Sequence, residues 1–189
     1  MNRKKLALAL GLVFMAGMIA GVEVYRISLG SACPQATCVD RAKVRPVNDR
    51  EYYSELHALL SSAKTSIHMV EFELKYYEKF KGSLQNQIVQ DLIDAKERGV
   101  DVRIVMDEFS NENNAFDVLT ARGVGIKLDS ENVTTHAKLV IVDGKAVLVG
   151  STNLSYYALE KNNEANVLIE DEASARDFEK YFLGLWNAS

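Results

Sequence analysis

Two prolines and two cysteines in 189 residues set the first limits on this chain. So little proline, beside an apolar content of 48%, is the composition of a packed domain and not of a disordered tail. The length suits a single domain with ample core. Cys33 and Cys38 stand in a polar stretch with Pro34. Four intervening residues fit either a small disulfide loop, as an oxidising compartment allows, or two free thiols. A zinc site needs more ligands than this pair, and no nearby histidine completes one. Neither Gly-x-Gly-x-x-Gly nor a Walker loop is present, so no nucleotide-binding signature marks the chain. Excess positive charge is missing as well. The net charge is −4, and removing residues 1–30 takes away four cations and one anion, which leaves about −7. That is far from a polybasic nucleic-acid binder, although a locally positive groove remains compatible with it.

One long apolar run is present, from Leu6 to Val22, behind Arg3, Lys4 and Lys5. About 17 residues lie at the lower end of a membrane span. Positive residues ahead of such a run describe a signal peptide or a signal anchor. Cleavage sites are poor: Ile19-Ala20-Gly21 fits the small-x-small rule badly, and Gly30-Ser31-Ala32 lies far from the run. The stretch Leu29 to Cys33 is a faint lipoprotein box, with Glu23 and Arg26 intervening. The expectation is an uncleaved N-terminal hydrophobic helix as anchor over 1–28, a linker over 29–43 and a domain over 44–189. The positive-inside rule puts that domain outside the cytoplasm, membrane-anchored, or secreted or periplasmic if the signal is cleaved.

Within the domain, strand and helix signals alternate. Val44 to Val47 reads as a strand, at an edge because of Pro46. Asp49 is placed to cap a helix carrying Tyr52, Tyr53, Leu56, Leu59, Leu60 and Ala63. Ser66 to Leu74 reads as a strand with Ile67, Met69 and Glu71 on one side, and His68, Val70 and Phe72 on the other. Leu84, Ile88, Leu92 and Ala95 repeat at helical spacing up to Gly99. Asp101 to Met106 is a buried strand, followed by a short helix through Phe116, Val118 and Leu119 and a strand near Gly125 to Leu128. A strand at Ala165 to Ile169 and an amphipathic helix through Phe178, Tyr181, Phe182, Leu185 and Trp186 end the chain. This order predicts an α/β fold, a mixed sheet with helices on both faces.

The polar residues between the remaining strands carry the chemistry. His136, Lys138 and Asp143 surround the apolar run Leu139 to Val142, and Gly150, Ser151 and Asn153 follow the run Ala146 to Val149. Asp143-Gly144 is a hairpin signal, with Lys145 leaving the turn length open. On a strand His136 and Lys138 share a face, and the second strand brings Ser151 and Asn153 alongside. An imidazole, an ammonium, a hydroxyl and a carboxamide in one space suit attack on phosphorus. Neutral imidazole is a nucleophile near pH 7, and Lys and Asn donate to oxygens where charge builds. Taken singly, a strand histidine is a packing residue and a Lys–Asp pair is solvated surface. The joint spacing sets these apart. His57 and His68 read as structural. Lys75-Tyr-Tyr-Glu-Lys-Phe-Lys81 is a basic, aromatic loop that suits base stacking, lipid headgroups or plain solvent. Asn132, Asn153 and Asn187 begin glycosylation acceptor triplets, which are common by chance.

His136, Lys138 and Asp143 resemble the HKD motif of the phospholipase D superfamily, and Gly150, Ser151 and Asn153 resemble the Gly-Ser-x-Asn that follows it. Glu164, in Asn163-Glu-Ala-Asn166, is similar to an acidic residue of members with one motif per chain. The similarity is to the small bacterial endonuclease of the superfamily and its mitochondrial-surface relative, whose anchor would reverse the orientation above. The resemblance implies a catalytic set of His136, Lys138, Asp143, Asn153 and Glu164. His136 would form a phosphohistidine that water resolves, and Lys138, Ser151 and Asn153 would bind substrate. Glu164 would accept a hydrogen bond from His136. For Asp143 a structural role is expected within the motif. With one motif per chain, the acid for the leaving oxygen would be His136 of a second subunit, in a homodimer with a shared active site. No cofactor is expected, and no metal, since a two-metal site needs clustered oxygen ligands. Nucleic acid is the expected substrate. Membrane phospholipid is the alternative, and an idle membrane scaffold a third reading that the intact motif disfavours.

Overall fold

The computed structural model describes residues 42–108 and 114–189. The Leu6–Val22 run, the question of its cleavage and the Cys33–Cys38 pair fall outside the described residues. Among the described residues no helix is long and apolar enough to cross a membrane. The chain divides into Met1–Cys38 and Val39–Ser189, and the second unit is the one described below.

Its strands are β1 (Lys43–Asn48), β2 (Ser66–Glu71), β3 (Asp101–Met106), β4 (Gly125–Leu128), β5 (Lys138–Val142), β6 (Ala146–Gly150) and β7 (Ala165–Glu170). They form one sheet in the order β1-β7-β6-β5-β2-β3-β4. β2, β3 and β4 are parallel, and every other pairing is antiparallel. The helices are α1 (Glu51–Ser62), α2 (Leu84–Glu97), α3 (Ala115–Thr120), α4 (Tyr156–Glu160) and α5 (Glu172–Ala188). The mixed sheet expected from the alternation is present, and Pro46 does lie on an edge strand.

Two cores follow from the period-2 alternation of the strands. On one face Ile67, Met69, Ile104, Val140 and Leu148 pack with Tyr52, Leu56 and Leu60 of α1 and Ile88 and Leu92 of α2. On the other, Val70, Val105, Leu139, Ile141 and Val147 meet Ala175 and Phe182 of α5. Phe182 is fully buried and stacks on the His68 ring at 4.6 Å. Burying such a ring contributes about 2–3 kcal/mol. His68 also bonds Glu179, and His57 Nδ1 lies 2.8 Å from Asp91 Oδ2, so both side histidines tie helices down.

Three local expectations change. Asp49 does not cap α1. Its φ is +49°, its Oδ1 accepts from Glu164 N at 2.7 Å, and its own N donates to Glu164 O at 3.0 Å. The turn is therefore locked to the start of β7, and Arg50 occupies the helix cap without a capping side-chain bond, its guanidinium donating instead to the Asn162 carbonyl oxygen. β2 stops at Glu71, where its neighbour β5 begins; beyond it Phe72 N donates to Ala137 O at 3.2 Å, and Leu74 forms an isolated bridge to Leu154. His136 lies before β5, not on it.

Candidate active site

The register gathers chain ends at one edge of the sheet. Glu71 pairs with Lys138, Leu139 with Val149, Gly150 with Asn166, and Val47 with Asn166. The carboxyl ends of β1, β2, β3, β4 and β6 thus meet the amino ends of β5 and β7. Carboxyl ends of parallel strands are where open α/β sheets place ligands. His136, Lys138, Ser151, Asn153 and Glu164 all belong to this edge.

His136 is exposed, while Lys138 is 4% exposed. Lys138 Nζ donates to the His136 carbonyl oxygen at 2.8 Å and lies 3.2 Å from Nδ1. Phe72 packs beneath both, with its ring centroid 4.5 Å from the imidazole and 4.8 Å from Nζ. An ammonium has no lone pair, so toward Nδ1 it can only donate. The neutral ring then carries its proton on Nε2, as a proton donor does, and attack by Nε2 requires the proton on Nδ1. Burial pushes the Lys138 pKa down; Glu71, Glu164, Glu73 and Asp107 oppose this without cancelling it.

The bond expected between His136 and Glu164 is not formed. Glu164 instead accepts from Ser151 Oγ and, at 3.0 Å, from Asn162 Nδ2. Ser151 Oγ also accepts from Ala165 N at 3.1 Å. Glu164 and Ser151 therefore tie the Gly-Ser-Thr-Asn turn to β7. Asn153 is half-buried, and its Oδ1 has no hydrogen-bond partner among the described residues. Gly150 is required by contact. A Cβ there would lie 2.5 Å from the Ala165 carbonyl oxygen and closer still to Asn166 Oδ1.

Asp143 is not at this edge. β5 separates it from His136, about 17 Å of strand at ~3.4 Å per residue. There it accepts the backbone amides of Lys64, Thr65 and Ser66 and the Thr65 hydroxyl, between 2.7 and 3.1 Å. Burial raises its pKa, and the bonds from Thr65, Ser66 and Lys64 outweigh that and hold it below the usual carboxylate range. With φ +54° at Asp143 and +61° at Gly144, the hairpin turns through two left-handed residues. Among the described residues no three His, Cys, Asp or Glu side chains gather into a metal-binding set.

Residues 56–186 match the family model described as "Cardiolipin synthase, PLD-like domain". The chain belongs to the PLD-like domain family. This PLD-like domain is 30% identical over 140 residues to the mitochondrial cardiolipin hydrolase of Danio rerio, 72% of this chain and 58% of that one. It is 33% identical over 109 residues to a phospholipase D of Rickettsia prowazekii, 56% of this chain and 53% of that one. It thus spans about half the length of these relatives. Among solved structures, the phospholipase D family member Nuc from Salmonella typhimurium superposes with a TM-score of 0.68 at 29% identity. That superposition covers 78% of this chain and 96% of Nuc.

Several residues that shape the PLD-like site escaped sequence reasoning. Asn166 donates to Val47 O at 3.0 Å and to Thr152 Oγ1 at 2.8 Å, and accepts from Thr152 N at 3.2 Å. One carboxamide thereby fastens the Gly-Ser-Thr-Asn turn to two strands. Asp107 and Asp129 share the Thr135 amide, at 2.8 and 3.0 Å, and so set the residue before His136. Each of these two acids stands just past an apolar strand, which is a signal readable in sequence. Asn166 had none, since its partners are 14 and 119 residues away.

Proposed function

We propose that this domain hydrolyses phosphodiesters by nucleophilic catalysis, with single-stranded nucleic acid as substrate. A His136 ring nitrogen attacks phosphorus and the leaving oxygen takes a proton. Water then attacks the phosphohistidine and releases His136. Lys138 and Asn153 face the phosphoryl oxygens, where preorganised donors act on developing charge. Glu164 and Ser151 hold the turn that presents Asn153. The observation that supports the reading is an exposed imidazole set against a buried ammonium at the carboxyl edge of the sheet. The proton for the leaving group comes from His136 of a second copy, in a two-fold dimer whose paired edges share one site.

The choice of nucleic acid rests on a cavity of about 700 Å³ lined by Tyr77, Phe80, Lys81, Tyr156, Tyr157 and Glu160, among others. Tyr156 lies three residues after Asn153, so the cavity adjoins the site. Phe80 and Tyr157 are 69% and 68% exposed, and Lys161 lies 5.3 Å over the Tyr156 ring. Exposed Lys79, Lys81 and Lys161 supply positive charge in an otherwise acidic chain. Flat aromatic faces beside cations suit unpaired bases with phosphates attached. Phospholipid is the second reading, favoured by the names of the relatives matched.

The test is to offer the purified full chain single-stranded DNA, RNA, duplex DNA and phospholipid vesicles, with and without excess EDTA. Cleavage of single strands that survives EDTA is expected, because the nucleophile is a side chain. Phe80→Ala and Tyr157→Ala should each raise KM about tenfold, the worth of one stacked base. Vesicle hydrolysis with oligonucleotides untouched would transfer the assignment to lipid, and activity restored only by magnesium or manganese would refute the mechanism.

The Leu6–Val22 run is proposed as an uncleaved anchor that leaves the catalytic domain outside the cytoplasm. Protease added to intact cells should then digest the domain and spare a cytoplasmic control. Protection until the membrane is broken would reverse the orientation.

A further inference from the structure

Glu71 ends β2 with its carboxyl wholly buried, and neither oxygen has a hydrogen-bond partner among the described residues. Its cross-strand partner is Lys138, so the two side chains leave the sheet on the same face. That face is the one covered by α1 and α2, and Lys138 is nearly as sealed from solvent as Glu71. An unpaired buried carboxyl is costly, and so is a buried ammonium. Nothing in the phosphoryl chemistry of His136, Ser151 or Asn153 employs Glu71. The strand nevertheless puts an acid where alternation calls for a third apolar residue after Ile67 and Met69.

The groups that face this pair come from every neighbouring element. Lys138 and Tyr52 of α1 act on or feel Glu71. Around Lys138 stand Glu71, Glu164 before β7, Glu73 after β2 and Asp107 after β3, with the His136 ring at its amine. Burial drives the Lys138 pKa down, and Glu71 leads the carboxylates that pull it back. Burial also raises the Glu71 pKa well above its ordinary value, which Lys138 partly offsets. Each of the two charges thus favours the other.

We propose that Glu71 is a positioning residue for Lys138: from the adjacent strand its carboxylate keeps the ammonium charged inside the sheet and sets the upper pH limit of the reaction. This rests on the reading that Lys138 holds phosphoryl oxygens. The sign is definite. As pH rises Glu71 releases its proton to solvent, and the charge left behind stabilises the proton on Lys138. A neutral residue at position 71 withdraws that support, so Lys138 deprotonates at lower pH.

The experiment is the pH dependence of kcat/KM for bis(p-nitrophenyl) phosphate, between pH 5 and 10, with the full chain. Wild type, Glu71→Gln, Glu71→Asp and His136→Ala are compared, and a melting curve is taken for each. Glu71→Gln should move the alkaline limb about one pH unit toward acid, the low end of what a neighbouring opposite charge exerts. Glu71→Asp, which keeps the charge at shorter reach, should move it less. A uniform loss of rate with the limb in place would mean that Glu71 only packs, and would overturn the proposal. If Glu71→Gln does not fold, Glu71→Met, which is also neutral, takes its place, and an unmoved limb there overturns the proposal too. A wild type without hydrolysis, or a His136→Ala chain as active as wild type, would instead defeat the underlying reading of the site.

Discussion

Replacing His136 by alanine should lower turnover by about four orders of magnitude or more, to background, while the domain stays folded. The ring is exposed, so its loss leaves no cavity in either core, and among the described residues no second imidazole stands at this edge to replace the proposed nucleophile. Lys138 would keep its bond to the backbone carbonyl of residue 136, so the local chain should hold its course. Far-ultraviolet circular dichroism and a melting curve would establish the fold, and phosphodiester hydrolysis the loss. The same variant tests the shared site. Wild-type and His136→Ala chains carrying different tags can be co-expressed and the mixed dimer isolated. In the proposed scheme one ring attacks and the other protonates, so that dimer should be nearly inactive. Retention of half the wild-type rate would mean that each subunit works alone, and would sink the two-fold scheme.

Asp143→Ala should act on stability and not on chemistry. Alanine removes the acceptor of three backbone amides and one hydroxyl, and it must adopt the left-handed φ of +54°. Charge-assisted bonds contribute about 1.5–3 kcal/mol, less where solvent reaches, and a non-glycine, non-Asx residue at this φ costs about 1 kcal/mol. A loss of about 3 kcal/mol is expected, read by urea denaturation, with turnover per folded molecule nearly unchanged. Asp143→Asn tolerates the backbone and keeps one acceptor, and should lose about 1 kcal/mol. The pH dependence follows from the depressed pKa. The carboxylate's contribution is complete above the unfolded value of about 3.9 and is lost as pH falls through the lower folded value. The stability gap between wild type and Asp143→Asn should therefore close in the acid range below about pH 4. A turnover loss matching that of His136→Ala would return Asp143 to the chemistry.

These two residues belong to one sequence motif and separate in space for a simple reason. A motif records order along the chain, and a strand converts order into length. Five residues of β5 carry Asp143 to the far end of the sheet, where the α1–β2 connection offers it free amides. Lys138 stays at the near end with His136. Spacing alone could not show that the motif's aspartate holds a hairpin while its lysine faces the site.

Short-range features were legible because their causes are local. Alternating apolar residues mark strands, 3.6-residue spacing marks α2 and α5, and Asp143-Gly144 marks a turn that needs left-handed backbone. The sequence by itself determined the α/β class and the polar set His136, Lys138, Ser151, Asn153 and Glu164. Only the tertiary structure decided how that set is held. Asn166 reaches Val47 because β1, from the start of the domain, adds antiparallel to β7 near its end. Glu71 meets Lys138 because β5 is laid beside β2 across 66 intervening residues, in one register among several that the apolar runs allow. A shift of one residue would turn Glu71 and Lys138 to opposite faces. Register is chosen by the packing of both faces at once, and no single stretch of chain contains that information.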